Sequence, residues 1–178
     1  SQHPGWQERT MHDAAEAALD AISEAIKNID SSEIVAVGVA GHGDGIYLLD
    51  KHHQPLRNAI FATDNRASAI ATEINRVHGD ALMKSMGQHL FAASPMALLS
   101  WMKSEEPEKY QNIGAVLQCK DWIRTVLTGT VGSDISDAAC AGLGLNTYTF
   151  DKSLFDLIGI PEVFQALPEL KFGGEVAG

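Results

Sequence analysis

Apolar positions near the start of the chain recur at three- and four-residue steps before giving way to an unbroken apolar run. Met11, Ala15, Ala18, Ile22, Ile26 and Ile29 share one face of a helix, the spacing of an amphipathic surface helix. Thr10 stands where its hydroxyl can cap the free amides, with Asp13 at the capping-box position. Asp30-Ser31-Ser32 ends that pattern. The run from Ile34 to Ala40 is short and rich in β-branched residues, so it predicts a strand buried on both faces. After the glycine-broken turn Gly41 to Gly45, Ile46 to Asp50 reads as a second strand. Lys51 to Pro55 is a polar turn, and Ala59 to Ala62 a third, shorter strand.

The second half alternates in the same way. A helical pattern on Ala67, Ile70, Ala71 and Ile74 covers Asp64 to His78, and another helix covers Pro95 to Glu105. Pro95 sits near the helix start, where a missing amide costs least. Ala115 to Gln118 predicts a strand, followed by a helix from about Asp121 to Leu127 that Thr128-Gly129 stops. Short helices around Leu154 and Pro161 and turns at Pro168 and Gly173-Gly174 complete the chain. Strands and helices in repeated alternation predict an α/β architecture.

Composition narrows the function classes. A chain of 178 residues, 45% hydrophobic and 20% charged, has a soluble globular profile with room for one domain, with or without a small appendage, and for a real core. Thirteen Lys and Arg stand against 23 Asp and Glu, a formal charge of -10. That argues against nucleic-acid or anionic-membrane partners, which need clustered cations. It leaves open a small anion held by backbone amides. No apolar run approaches the roughly 20 residues of a membrane span, and Ser1 to Thr10 is unlike a signal peptide. Cys119 and Cys140 form no C-x-x-C pair, so a reduced, cytoplasmic protein without a thiolate metal site is expected. His12, His78 and His89 lack metal-ligand spacings, and His52-His53 lie in a turn.

Four clusters could carry chemistry. Gly41-His42-Gly43-Asp44-Gly45 allows close backbone approach to a ligand and offers His42 and Asp44 as polar groups. The same residues also suit a plain hairpin turn. A strand follows rather than a helix, so this is no dinucleotide fingerprint. Thr63-Asp64-Asn65-Arg66 ends a strand, where open α/β sheets place ligand groups. Equally, Asp64 could cap the next helix and Arg66 pair with it at the surface. Cys119-Lys120-Asp121-Trp122 lies at another strand-to-helix junction, with N-capping as the structural role for Asp121. Ser133, Asp134, Ser136 and Asp137 crowd a fourth segment that capping and turn formation also explain. Trp6 and Trp101 read as packing residues. There is no G-x-x-x-x-G-K-[ST] loop, no H-E-x-x-H and no hydrolase triad order.

Taken in order, these pieces resemble the N-terminal lobe of the FGGY carbohydrate kinases. The resemblance rests on Pro4-Gly5-Trp6-Gln7-Glu8, Leu48-Leu49-Asp50, Pro55 to Ile60, Asp64-x-Arg66 and Leu99-x-Trp101-Met102-Lys103. It continues through Glu106-Pro107-Glu108, Lys120-Asp121-Trp122, Leu127-Thr128-Gly129, Ser133 to Ala138 and Leu167-Pro168. It implies an α/β fold, part of an actin-like (ribonuclease H-like) ATPase lobe with a mixed sheet flanked by helices. It also implies ATP-dependent phosphorylation of a small sugar or polyol, with Mg²⁺ and ATP bound mainly by other parts of the protein. In such kinases the turn matching Gly41 to Gly45 lines the sugar pocket, which makes His42, Gly43 and Asp44 substrate-binding candidates. Asp64, Arg66 and Asp121 are candidates at the same cleft. Gly-His-Gly-Asp-Gly is similar to the form found in erythritol- and L-xylulose-kinase-like members. Ala62 stands where glycerol kinases carry a sugar-stacking Trp. The phosphate loop, catalytic Asp and C-terminal ATP lobe of the family have no counterpart in residues 1–178, so the segment is expected to be a partial, inactive lobe. An exposed lobe face would favour self-association. A non-catalytic sugar-binding module and an unrelated α/β protein are the rival readings.

Overall fold

The computed structural model describes residues 3–178. Its strands form a short antiparallel ribbon. β1 (Glu8–Arg9) pairs with β3 (Ala59–Ile60), and β2 (Tyr47–Asp50) pairs with β4 (Ile113–Leu117) in the register Tyr47↔Leu117. An Ile46↔Ile60 bridge joins the two pairs, with Ile46 N–H donating to Ile60 O at 2.9 Å. A separate parallel pair, β5 (Ser133–Asp134) with β6 (Leu170–Lys171), makes the strand pairing mixed, as expected.

Among the described residues the helices are α1 (Met11–Ala25), α2 (Ser68–Met86), α3 (Pro95–Glu105), α4 (Pro107–Tyr110), α5 (Cys119–Thr128), α6 (Ile135–Ala138) and α7 (Lys152–Leu157), with 3-10 turns at Ser31–Glu33 and Pro161–Ala166. The larger core buries Ile46, Leu48 and Ile60 against α2, α3 and α7. A smaller core, on the opposite face of the ribbon, packs Tyr47, Leu49, Ala115 and Leu117 against Met11 and Trp122. The two faces follow from the period-2 alternation along β2. Trp122 Nε1–H donates to Met11 O at 2.8 Å and ties α5 to the start of α1.

The strand expected at Ile34 to Ala40 is absent. Val35 is 97% and Val37 65% exposed, and the segment forms no ladder. The physical reason is that both edges of β2 are taken. β4 occupies one, while Ile60 and Leu56, which donates to Leu48 O at 2.9 Å, occupy the other. The hairpin reading of Gly41 to Gly45 falls with it. The apolar face of α1 is likewise buried at Met11 and Ala15, half-buried at Ala18 and Ile22, and exposed beyond the helix end at Ile26 and Ile29.

Two helix starts also differ from the sequence reading. α2 begins at Ser68, and Asp64 does not cap it, because the Asp64 carboxylate is engaged with Arg66 and Gln7. α5 begins at Cys119 with Gln118 as N-cap, and Asp121 sits at the third position in a reciprocal capping box. Thr10 caps α1 as expected, accepting from Asp13 N–H at 3.0 Å. Among the described residues, no helix is long and apolar enough to cross a membrane.

Candidate functional site

The turn Gly41 to Gly45 enters β2 at the end where β4 leaves the ribbon, so it faces the N-terminus of α5. The contacts show how tightly it is set there. A Cβ on Gly41 would lie 3.1 Å from Lys120 N, and one on Gly43 would lie 3.8 Å from Cys140 Sγ. Gly45 is the least replaceable. Its φ is +70° and an added Cβ would stand 2.4 Å from Ile60 O. Its N–H donates to Ala93 O at 2.9 Å. Glycine is therefore required here for both conformation and space.

Asp44 also adopts the left-handed region, with φ +59°. Its Oδ1 is buried and has no hydrogen-bond partner among the described residues. Burial pushes its carboxyl pKa up, opposed by the Cys140 thiol and by His42. An orphaned carboxylate oxygen on a strained corner is an acceptor held ready. His42 is exposed, with Nδ1 3.2 Å from Gly43 O and its ring edge-on to Phe61 at 6.0 Å.

Beneath the turn lies an ionic cluster. Lys120 Nζ is 2.7 Å from Asp134 Oδ2, 3.1 Å from Asp137 Oδ2 and 3.5 Å from Asp121 Oδ1. Burial works against the Lys120 charge, but these carboxylates together raise its pKa. Asp121 is buried and pushed up to about 6 by desolvation, which Ser133 and Lys120 only partly oppose. Its Oδ2 accepts from Ser133 Oγ at 2.8 Å and from Gln118 N–H at 3.3 Å. Burial raises Asp137, and Lys120 works the other way. Asp134 both caps α6, accepting from Ser136 N–H at 2.8 Å, and binds Lys120.

Asp64 and Arg66 belong to a different network. Asp64 Oδ2 accepts from Gln7 N–H at 2.6 Å and from Arg66 Nη2 at 2.9 Å, while Oδ1 takes Arg66 N–H and Nε. Arg66 Nη1 lies 2.6 Å from Glu8 Oε1, and Arg57 links Glu8 to Glu106. The Arg66 guanidinium lies 4.1 Å from the Trp6 ring and 5.0 Å from Trp101. The tryptophans are packing residues, as expected, and they also sandwich a cation.

The structure thus brings His42, Gly43 and Asp44 together with the Lys120–Asp121 junction and sets Asp64 with Arg66 among ion pairs. The sequence reading placed Lys120 and Asp137 in two separate candidate clusters without joining them, and it did not single out Gln118 or Cys140. The signal was the coincidence of an acidic stretch at 134–137 with a lysine at a strand-to-helix junction. Among the described residues, no group of three or more His, Cys, Asp or Glu is arranged to hold a metal ion.

Comparison with known proteins bears on this geometry. The pattern described as "FGGY family of carbohydrate kinases, N-terminal domain" matches residues 1–178. An L-xylulose/3-keto-L-gulonate kinase of Escherichia coli is 34% identical over all of this chain and 36% of its own length. An erythritol kinase of Brucella abortus is 30% identical over 79% of this chain and 27% of its own length. In the crystal structure of a xyloylose kinase from Brucella ovis, 37% of the chain superimposes on all of this one with a TM-score of 0.87 at 30% identity. This chain spans from 27% to 37% of the length of these three relatives.

Proposed function

Because the chain belongs to the FGGY family of carbohydrate kinases, we propose that it forms the sugar-binding part of an ATP-dependent kinase for a small sugar or polyol. A ketopentose such as L-xylulose or a tetritol such as erythritol is the substrate class. Names of relatives support the range, since an L-xylulose kinase and an erythritol kinase both align with this chain.

The observation that carries the reading is the buried, unpartnered Oδ1 of Asp44 on the corner of Gly41 to Gly45. Polyhydroxylated ligands present donors, and a desolvated carboxylate oxygen accepts from a hydroxyl with a strong, charge-assisted bond. Such bonds contribute about 1.5–3 kcal/mol each. His42, exposed beside Asp44, supplies a second polar contact. Gly43 keeps the backbone open to the ligand. Asp121, with Lys120 and Asp137, sets the field beneath the turn, while Asp64 and Arg66 fix the strand end from which Phe61 reaches His42.

Phosphoryl transfer needs a phosphate cradle, a metal ion and an acceptor base in line. The residues described here offer no set for Mg²⁺ and no phosphate loop, so ATP and Mg²⁺ are assigned to the remainder of the protein. Residues 1–178 alone are therefore expected to be inactive. The test is a coupled ATP-consumption assay of the full-length protein against ketopentoses, tetritols and glycerol. ATP turnover dependent on one ketopentose or tetritol is expected, and absence of turnover with every one of them would overturn the reading.

A further inference from the structure

His42 is exposed, yet its ring is held by its neighbours. Nδ1 lies 3.2 Å from Gly43 O. The Phe61 ring stands edge-on to the imidazole, with centroids 6.0 Å apart and planes at 71°. The Tyr47 ring is tilted against it at 6.3 Å and 47°. Both separations fall where aromatic rings attract one another in edge-on and offset arrangements.

The two holding rings are themselves fixed. Tyr47, in β2, is 1% exposed and belongs to the smaller core, and Phe61 packs against that core. Phe61 N–H donates to Gln7 O at 3.0 Å, and Phe61 O accepts from Asp64 N–H at 3.0 Å. The turn and this strand end lie in contact, since a Cβ on Gly45 would stand 3.1 Å from the Phe61 carbonyl carbon. The imidazole therefore leans on a rigid wall that the Asp64–Arg66 pair helps to anchor.

The contact with Gly43 decides where the imidazole proton sits. A carbonyl oxygen only accepts, so Nδ1 must donate. A neutral imidazole carries a single N–H, which leaves Nε2 as a bare acceptor. Nε2 makes no hydrogen bond among the described residues. A hydroxyl that donates to Nε2 completes its bonding, whereas a second acceptor there would meet a lone pair.

We propose that His42 meets the sugar through Nε2, accepting from a hydroxyl, and that Phe61 is the positioning residue that aims it. This rests on the reading of His42 as a sugar contact. Phe61 does not touch the sugar and takes no part in phosphoryl transfer. An unsupported imidazole turns freely about the bond to its Cβ, where the torsional wells are broad. A ring already held in its bound orientation gives up less freedom when the ligand arrives. With Nε2 of His42 and Oδ1 of Asp44, the corner reads sugar hydroxyls as donors.

The experiment compares the full-length protein with its His42→Asn, His42→Gln, Phe61→Leu and Phe61→Tyr variants and the double variant of His42→Asn with Phe61→Leu. Each is checked for folding by circular dichroism. The probe is whichever of L-xylulose and erythritol the wild type phosphorylates. An Asn amide reaches the Nδ1 position and can still donate to Gly43 O, but it puts nothing at Nε2. A Gln side chain carries its carbonyl oxygen to the Nε2 position, where it accepts. His42→Asn is expected to raise the sugar KM about fivefold, the worth of one hydrogen bond, with kcat and the KM for ATP unchanged. His42→Gln should stay within about twofold of wild type, because its acceptor replaces the lost one. Phe61→Leu should raise the sugar KM about threefold, and Phe61→Tyr, which keeps the ring, should match wild type. Beside His42→Asn, Phe61→Leu should add nothing, because it acts only through the imidazole.

A His42→Gln variant no better than His42→Asn overturns the Nε2 assignment. An unchanged sugar KM in Phe61→Leu, or a loss that persists in full beside His42→Asn, overturns the positioning role. A general loosening of the strand end would act in both backgrounds. An unchanged sugar KM in both His42 variants overturns the reading of His42 as a sugar contact, a distinct result.

Discussion

The carboxylate of Asp64 and the guanidinium of Arg66 meet side-on, with Nε 2.9 Å from Oδ1 and Nη2 2.9 Å from Oδ2, and neither side chain reaches solvent. The guanidinium is further held between Trp6 and Trp101. Removing one member of a buried pair strands the other's charge, at a cost of about 3–5 kcal/mol. Asp64→Ala is therefore expected to lower the urea midpoint by that amount of stability, with an unchanged slope. Arg66→Lys keeps the charge but loses the planar fork and the stacking. It should cost less than Asp64→Ala, yet more than about 1 kcal/mol.

This pair shows how far the sequence could be read. Asp64-x-Arg66 was visible as a strand-end motif, and pairing of its two members was one of the roles open to it. Its burial was not visible, because Trp6, Glu8 and Trp101 come from distant parts of the chain. Helix α3 was legible to the residue, since Pro95 opens it and Glu105 closes it. The segment Ile34 to Ala40 misled because apolar, β-branched composition reports readiness to pair but names no partner. Asp121 looked like an N-cap because the third position of a capping box, like the N-cap itself, favours a carboxylate that accepts from a helix-end amide. That the Lys120 and Asp134–Asp137 clusters meet was not legible, because local capping accounted for the acidic residues and does not reveal a second partner across the fold.

Gly45 and Gly129 have nearly the same backbone angles, φ +70° and +72°, in different surroundings. An alanine Cβ at Gly45 meets Ile60 O, whereas at Gly129 nothing lies within 4 Å. Gly129→Ala should cost about 1 kcal/mol, the left-handed penalty alone. Gly45→Ala adds a backbone clash and should cost clearly more, with loss of the Ile46–Ile60 bridge. Thermal unfolding of the two variants side by side checks this.

Asp121 gives a pH dependence with a definite sign. Its folded pKa is about 6 against an ordinary 3.8, so between those values the folded state holds the extra proton. Stability from this group is thus lost as pH rises through about 4 to 6, by up to about 3 kcal/mol. Asp64 and Asp134, whose pKa values are lowered, act in the opposite sense and weaken the fold as pH falls below 4. Asp121→Asn should flatten the decline between pH 4 and 6 while leaving the acid-side loss in place. Urea unfolding at half-unit pH steps measures it.

The sugar-facing role of the glycine corner is tested most directly by the Asp44→Asn and His42→Ala variants of the full-length protein, through kcat/KM for the sugar and the KM for ATP. Loss of the carboxylate should reduce kcat/KM for the sugar at least tenfold, given about 1.5–3 kcal/mol for a charge-assisted bond. His42→Ala should reduce it less, and ATP affinity should hold in both. If kcat/KM for the sugar in Asp44→Asn stayed within twofold of wild type, the corner would not face the substrate.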